Sequence, residues 1–244
     1  MTGLLHPGAG DGAYHERMSP SPPDLTDVVS HFWHVRWDLS AGRGHNIDVL
    51  PPPCIQLVVE GGVGRVHGVA RGKYHRRLTG AGEIFGITLR PAAFGLFSSI
   101  PVRDLTERVV SADILDITLP VSVARAEAVI RAHVRSVPER VLFVNSIIDA
   151  IETDRTLTTV DSITQRFNIG KRYLQQLFRT HIGVSPKWVI QRFRLQEAAM
   201  LIDTGATSLA QLSADLGYAD QAHFTRDFAA VVGYTPGTYR SANS

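Results

Sequence analysis

The sequence predicts an α+β chain of two domains, β-rich in its first part and all-helical in its last. Three observations carry this. Fifteen of the 21 glycines lie before residue 101. The same region alternates apolar and polar residues with a period of two, the pattern of half-buried strands. From about residue 120 the apolar residues recur every three or four positions instead, and roughly the last ninety residues repeat themselves.

Composition narrows the class. At 244 residues the chain holds one or two domains, and 44% hydrophobic with 20% charged residues is ordinary for a globular protein. No apolar run reaches the roughly 18 residues of a membrane span. The opening MTGLLHPGAGDGAYHERMSPSPPD lacks a basic stretch followed by an apolar core, so it does not read as a secretory signal. Residues 1–20 read as a flexible lead-in, with order beginning from Tyr14. The single cysteine, Cys54, excludes an internal disulfide and a multi-cysteine zinc site. Together these features point to the cytoplasm. From residue 153 onward there are 10 Lys+Arg against 7 Asp+Glu, and before it 15 against 16. That is a small excess in the direction a nucleic-acid partner requires.

The N-terminal elements follow in order. In HFWHVRWDL (31–39), Trp33, Val35, Trp37 and Leu39 share one strand face. PPPCIQLVVEGG (51–62) reads as a short buried strand ended by glycines, and residues 63–91 as two or three strands with Gly-containing turns. This spacing predicts a small barrel or sandwich. Residues 121–134 and 139–154 follow a helical period, broken at Pro138. The polar stretch 152–158 marks the boundary between a domain over 21–152 and another over 153–244.

The C-terminal segment is a duplication. FRTHIGVSPKWV (178–189) superposes on FAAVVGYTPGTY (228–239) at a shift of 50, matching Phe178 to Phe228, Gly183 to Gly233 and Pro186 to Pro236. Upstream the shift is 49, matching Ile163 to Leu212 and Phe167 to Leu216. Each copy reads as helix, turn, helix. Thr159 caps the first helix of copy one and Asn168 ends it in a left-handed conformation. The second helix starts near Gly170. In copy two, Thr207 or Ser208 caps, Gly217 ends the first helix, and Asp220 caps the second. Between the copies, residues 185–203 form a longer helix with Ser185 as cap and Pro186 in its first turn.

The second helices, about 170–179 and 220–230, carry polar outer faces. Copy one offers Arg172, Gln175, Gln176 and Arg179; copy two offers Gln221, His223, Thr225 and Arg226. Arginine pairs with guanine edges and glutamine with adenine, while cations and hydroxyls serve phosphates. Such faces are common on amphipathic helices. Two in register, joined by a capped helix, favour double-stranded DNA as the partner. The long helix would span roughly 25 Å, of the order of the ~34 Å separating successive major-groove segments.

The motifs LQQLF (174–178), GVSP (183–186), RLQEA (194–198), LGYADQAHFTRDF (216–228) and GYTPGTYR (233–240) resemble the AraC/XylS family of bacterial transcription regulators. The resemblance implies two helix–turn–helix units. Arg172, Gln175, Gln176, Gln221, Ala222, His223 and Arg226 would be base readers or their neighbours, and Lys171, Arg179 and Thr225 would lie nearer phosphates. Gly170 stands where the family usually has a capping Ser, and Thr164 where Ala is common. Ala222 offers a thymine only its methyl. Residues 32–39, 50–60, 85–97 and 102–110 are similar to sensor domains that precede this module, implying a cupin-like barrel followed by helices. That domain would sense a small molecule or form a homodimer. An activator of this kind would also contact RNA polymerase.

Candidate chemistry in the N-terminal half is sparse. His31, His34, His45, His67 and His75 lack the close H-x-H and following Glu of a metal-binding cupin. His31 and His34 would also point to opposite strand faces. No metal and no cofactor is expected. Trp33, Trp37 and Cys54 are the candidate effector-binding residues, although core packing serves all three as well. KYHRR (73–77) reads as a solvated strand or loop. No nucleophile–base pair points to an enzyme. The rivals are a cupin-type metal-dependent enzyme with an accessory helical module, and a DNA-repair alkyl transferase, whose cysteine cluster a single Cys does not supply.

Overall fold

The computed structural model describes residues 4–5, 14–39, 44–204 and 208–243. The sequence-based expectations for residues 6–13, for the rest of the lead-in before Tyr14 other than Leu4–Leu5, and for Thr207 lie outside these. Among the described residues are nine strands: β1 (Leu4–Leu5), β2 (Tyr14–Pro20), β3 (Val29–Asp38), β4 (Gly44–Val49), β5 (Gln56–Glu60), β6 (Val63–His67), β7 (Tyr74–Thr79), β8 (Ala81–Leu89) and β9 (Val109–Ser111). Eight helices follow: α1 (Val123–His133), α2 (Glu139–Thr153), α3 (Val160–Phe167), α4 (Lys171–His181), α5 (Pro186–Asp203), α6 (Leu209–Asp215), α7 (Gln221–Val232) and α8 (Pro236–Asn243).

The strands pair antiparallel into two sheets, ordered β2-β3-β8-β5-β6-β9 and β1-β4-β7. Among the described residues no hydrogen-bonded ladder joins the two sheets into a closed ring. Strand alternation explains the layers. Val35, Trp37, Val58 and Ile84 of the large sheet face Ile47 and Leu78 of the small one, forming one core. The opposite faces of the same strands carry Phe32, Leu57, Phe85, Ile87 and Leu89. These pack on Phe94, Phe97, Val102, Leu105 and α1 residues Ala126 and Ile130. Turning one face to each layer is what a period of two makes possible. Gly86 lies under the Trp33 indole: a Cβ there would sit 2.0 Å from Trp33 Cε2, so the wide ring rests directly on the neighbouring backbone.

The helical part has two cores. Ile163, Leu174, Leu177, Phe178, Ile182 and Val189 form the first, together with α2 residues Val144, Ile147, Ile148 and Ile151. Leu212, Leu216, Phe224, Phe228, Val232 and Tyr239 form the second, with Ala198, Ala199 and Ile202. Helix α5 belongs to both, which is why its apolar residues are spread around it and why 11 of its 18 residues are buried. Helix α2 shares the first core but is also fixed to the β part. Asn145 Oδ1 accepts Ala92 N–H at 3.0 Å, and its Nδ2 donates to Asp27 O at 3.1 Å. Arg90 Nη2 lies 2.6 Å from both carboxylate oxygens of Asp149. The two parts therefore meet through α2 and α5.

Candidate nucleic-acid interface

The two helix–turn–helix units are built alike from their local sequence. In the first, Thr159 and Ser162 form a reciprocal capping box on α3. Asn168 ends that helix with φ 49° and ψ 48°, the left-handed conformation Asn tolerates. Helix α4 begins at Gly170, which offers no side-chain cap. In the second, Ser208 accepts Gln211 N–H at 3.2 Å, so the cap is Ser208. Gly217 turns the chain with φ 78°. Asp220 Oδ1 then accepts His223 N–H at 2.7 Å and starts α7. Gly183 and Gly233, the matched glycines, both have positive φ, at 82° and 85°. The duplication reaches a third helix. Ser185 caps α5 through Trp188 N–H, and Thr235 accepts Thr238 N–H at the start of α8.

Each unit buries one side of its second helix and exposes the other. On α4, Leu174, Leu177 and Phe178 are buried, whereas Lys171, Arg172, Gln175, Gln176 and Arg179 are exposed. On α7, Phe224 and Phe228 are buried, whereas Gln221, Ala222, His223 and Arg226 are exposed and Thr225 is half-buried. All the sequence-predicted reading residues thus sit on the outer faces of these two helices. The helices run 171–181 and 221–232, each two residues longer at its C-terminal end than expected. Helix α5 separates them with 18 residues, about 27 Å.

The exposed side chains differ in how firmly they are held. Lys171 Nζ lies 3.1 Å from Asp161 Oδ1, and Gln176 donates to Thr180 Oγ1 at 3.2 Å. His223 Nε2 lies 3.4 Å from Asp227 Oδ2, and its ring meets Tyr218 edge-on at 5.2 Å. Burial, with Asp227 nearby, pushes the Tyr218 phenol well above its usual range. Arg172, Arg179 and Arg226 form no ion pair among the described residues. They are guanidinium groups held at the surface with donors to spare.

The N-terminal candidates lie elsewhere. A cavity of about 610 Å³ opens between the two sheets. Trp33 and Cys54 line it together with Glu16, Gln56, Glu60 and Arg76. Trp37 is not among its lining residues: it is packed in the inter-sheet core, with its indole N–H donating to Thr79 O at 3.2 Å. Burial pushes the Cys54 thiol up to about 12 and the His31 imidazole down to about 4. Among the described residues no three His, Cys, Asp or Glu side chains gather as a metal site. KYHRR is only partly solvated. Tyr74, His75 and Arg77 are exposed, but Lys73 pairs with Asp48 at 2.7 Å and Arg76 holds Glu60 through two nitrogens. Cross-strand carboxylates, invisible in the local sequence, make the difference.

Sequence reasoning missed three side chains at the junction. Arg192, Arg194 and Gln196 of α5 are at most 7% exposed. Arg192 Nη2 donates to Ala70 O and Gly72 O, and its guanidinium lies 5.0 Å from the Trp188 ring centre. Arg194 Nη2 donates to Asp154 O at 2.8 Å, and Gln196 Nε2 to Leu50 O at 3.1 Å. The signal present in sequence was QRFRLQ (191–196), polar residues on every side of a helix that has no room for a solvated face.

Residues 163–242 match the family model described as a helix-turn-helix domain, and residues 16–111 match a domain of unknown function, DUF6597. The F1 operon positive regulatory protein of Yersinia pestis is 34% identical over 99 residues, covering 40% of this chain and 33% of that protein. The raffinose operon transcriptional regulatory protein RafR of Pediococcus pentosaceus is 29% identical over 91 residues, covering 37% and 33%. The chain spans about a third of the length of these curated relatives. Among solved structures, a probable AraC family transcriptional regulator from Rhodopseudomonas palustris is similar at 26% identity and TM-score 0.36, covering 40% of this chain and 93% of that one. ToxT from Vibrio cholerae is similar at 10% identity and TM-score 0.44, covering 94% and 98%. The chain carries at its C-terminus a helix–turn–helix domain of the AraC type.

Proposed function

We propose that this chain is a sequence-specific DNA-binding transcription regulator. Helices α4 and α7 enter successive major-groove segments on one face of the duplex. Arg172, Gln175 and Gln176 read base edges from the first, and Gln221, Ala222, His223 and Arg226 from the second. Lys171, Arg179 and Thr225 hold phosphates. One observation carries this reading: the same helix–turn–helix with a buried inner and polar outer face on its second helix recurs in two copies, joined by α5, an 18-residue helix about 27 Å long. The N-terminal cavity, with its aromatic and polar lining, receives a small-molecule effector. A regulatory rather than catalytic role fits the relatives, which are named as regulators. A cytoplasmic location, a homodimer and a contact with RNA polymerase belong to the same reading.

Selection from a pool of random duplexes tests it. A defined motif with two contacted segments about one helical turn apart is expected. Enrichment of no motif at moderate salt would overturn the proposal.

A further inference from the structure

Two walls of the cavity are also docking points for α5. One wall is the segment joining β6 to β7, including Ala70, Gly72 and Lys73; the other runs from the end of β4 through Pro51 and Pro52. Both are gripped from behind by α5. Arg192 donates to the carbonyls of Ala70 and Gly72, and Gln196 donates to that of Leu50. The two side chains lie four residues apart, on one face of the helix. Leu50 itself is 1% exposed and packed in the second unit's core, and Val69 is packed in the first unit's. Lys73 makes a further link, with its ammonium 4.3 Å from the Tyr234 ring centre just beyond α7.

Arg192 is held in an unusual way. It is 1% exposed, yet no carboxylate pairs with it, and its Nε and Nη1 have no hydrogen-bond partner among the described residues. A buried cation satisfied by loop carbonyls and one indole is costly. Its grip is therefore sensitive to small shifts of the segment that supplies those carbonyls.

We propose that occupancy of the cavity is transmitted to the DNA-reading helices by this clasp: a molecule filling the cavity moves the 50–52 and 70–73 segments, and Arg192 and Gln196 pass the movement to α5. Because α5 lies in both helical cores, both units respond together. The inference rests on the effector-controlled regulator proposed above and supplies its route of regulation.

The test occupies the cavity covalently, so that no unidentified effector is needed. Gln56, half-buried in the lining, is replaced in the variant Cys54→Ala, Gln56→Cys, and labelled with N-phenylmaleimide to one adduct by mass spectrometry. Amide hydrogen exchange is then compared with and without the label. Exchange in residues 186–203 should change about fivefold or more, the lower end of typical couplings. Adding Arg192→Lys or Gln196→Met should leave the change in residues 68–74 and abolish it in α5. Equal α5 exchange with and without label, or a change that survives both substitutions, would overturn the clasp. Duplex selection on the same samples reports separately: loss of all sequence preference in the unlabelled protein would count against the regulator reading, not against the clasp.

Discussion

Asp227 and Gln191 join the second reading helix to α5: Gln191 Nε2 donates to Asp227 Oδ2 at 2.6 Å, and the same oxygen lies 3.4 Å from His223 Nε2. One carboxylate thus positions the helix and restrains one of its outward side chains. Asp227→Ala should cost about 1.5–3 kcal/mol, the usual worth of a hydrogen bond to a charged group. The midpoint of urea unfolding measures this, and an unchanged midpoint would sink the link.

The two reading helices should respond to different substitutions. Arg226→Ala is expected to lose about 1–3 kcal/mol on the selected site and to relax preference at one base position. Arg179→Ala should weaken all duplexes alike and reduce the salt slope by about one. Binding isotherms at several salt concentrations, on matched and scrambled duplexes, separate the two. A base preference lost in the Arg179 variant would reverse its assignment.

Two glycines at equivalent turns should give opposite signs. Gly170 has extended backbone, φ −71° and ψ 146°, and open space where a Cβ would stand. Gly170→Ser can therefore accept the free amide hydrogens of α4 and should stabilise by a few tenths of a kcal/mol. Gly217 has φ 78°, so Gly217→Ala should destabilise by about 1–2 kcal/mol. Thermal unfolding of both variants checks the contrast.

Acid should weaken the N-terminal part through His31. Burial lowers its pKa from 6.5 to about 4, so between those values the unfolded chain binds the extra proton. Stability from this group is full above pH 6.5, falls as pH drops, and levels off below about 4. His31→Gln should flatten that portion of the pH profile in urea unfolding. His67, lowered for the same reason, contributes in the same direction and remains in the variant.

The Cys54 thiol, pushed up to about 12 by burial, should resist iodoacetamide at pH 8 in the native state and react on unfolding. Rapid native labelling would show that the buried segment leading into β5 opens.

Much of the helical part was legible because its signals are local. Thr159, Asn168, Gly217 and Asp220 act within four residues of themselves, and the repeat alone assigns Phe178 and Phe228 to matching buried positions. Strand β3 was legible from its alternation. Strand β4 was not: GHNIDV holds just two aliphatic residues and becomes a strand by pairing with β7. Helix α2 was found, but not its place in the first core, because which helix covers which face is decided by residues distant in sequence such as Asp27, Arg90 and Ala92. Arg192 was illegible for the same reason. Nothing near it in sequence says that its partners are carbonyls 120 and 122 residues away.

On the proposed DNA-binding reading, helix α5 also sets a rule for the operator. Each residue of an α-helix turns the chain by about 100° and advances it 1.5 Å. With both cores packed on one continuous helix, the angle between the two readers is a property of its length, not of a hinge. One residue inserted in α5 would throw α7 far out of phase with α4. Adding one base pair between the contacted DNA segments would rotate them by only about a third as much. The protein is the stiff ruler, and the DNA must supply the compliance when the two do not match.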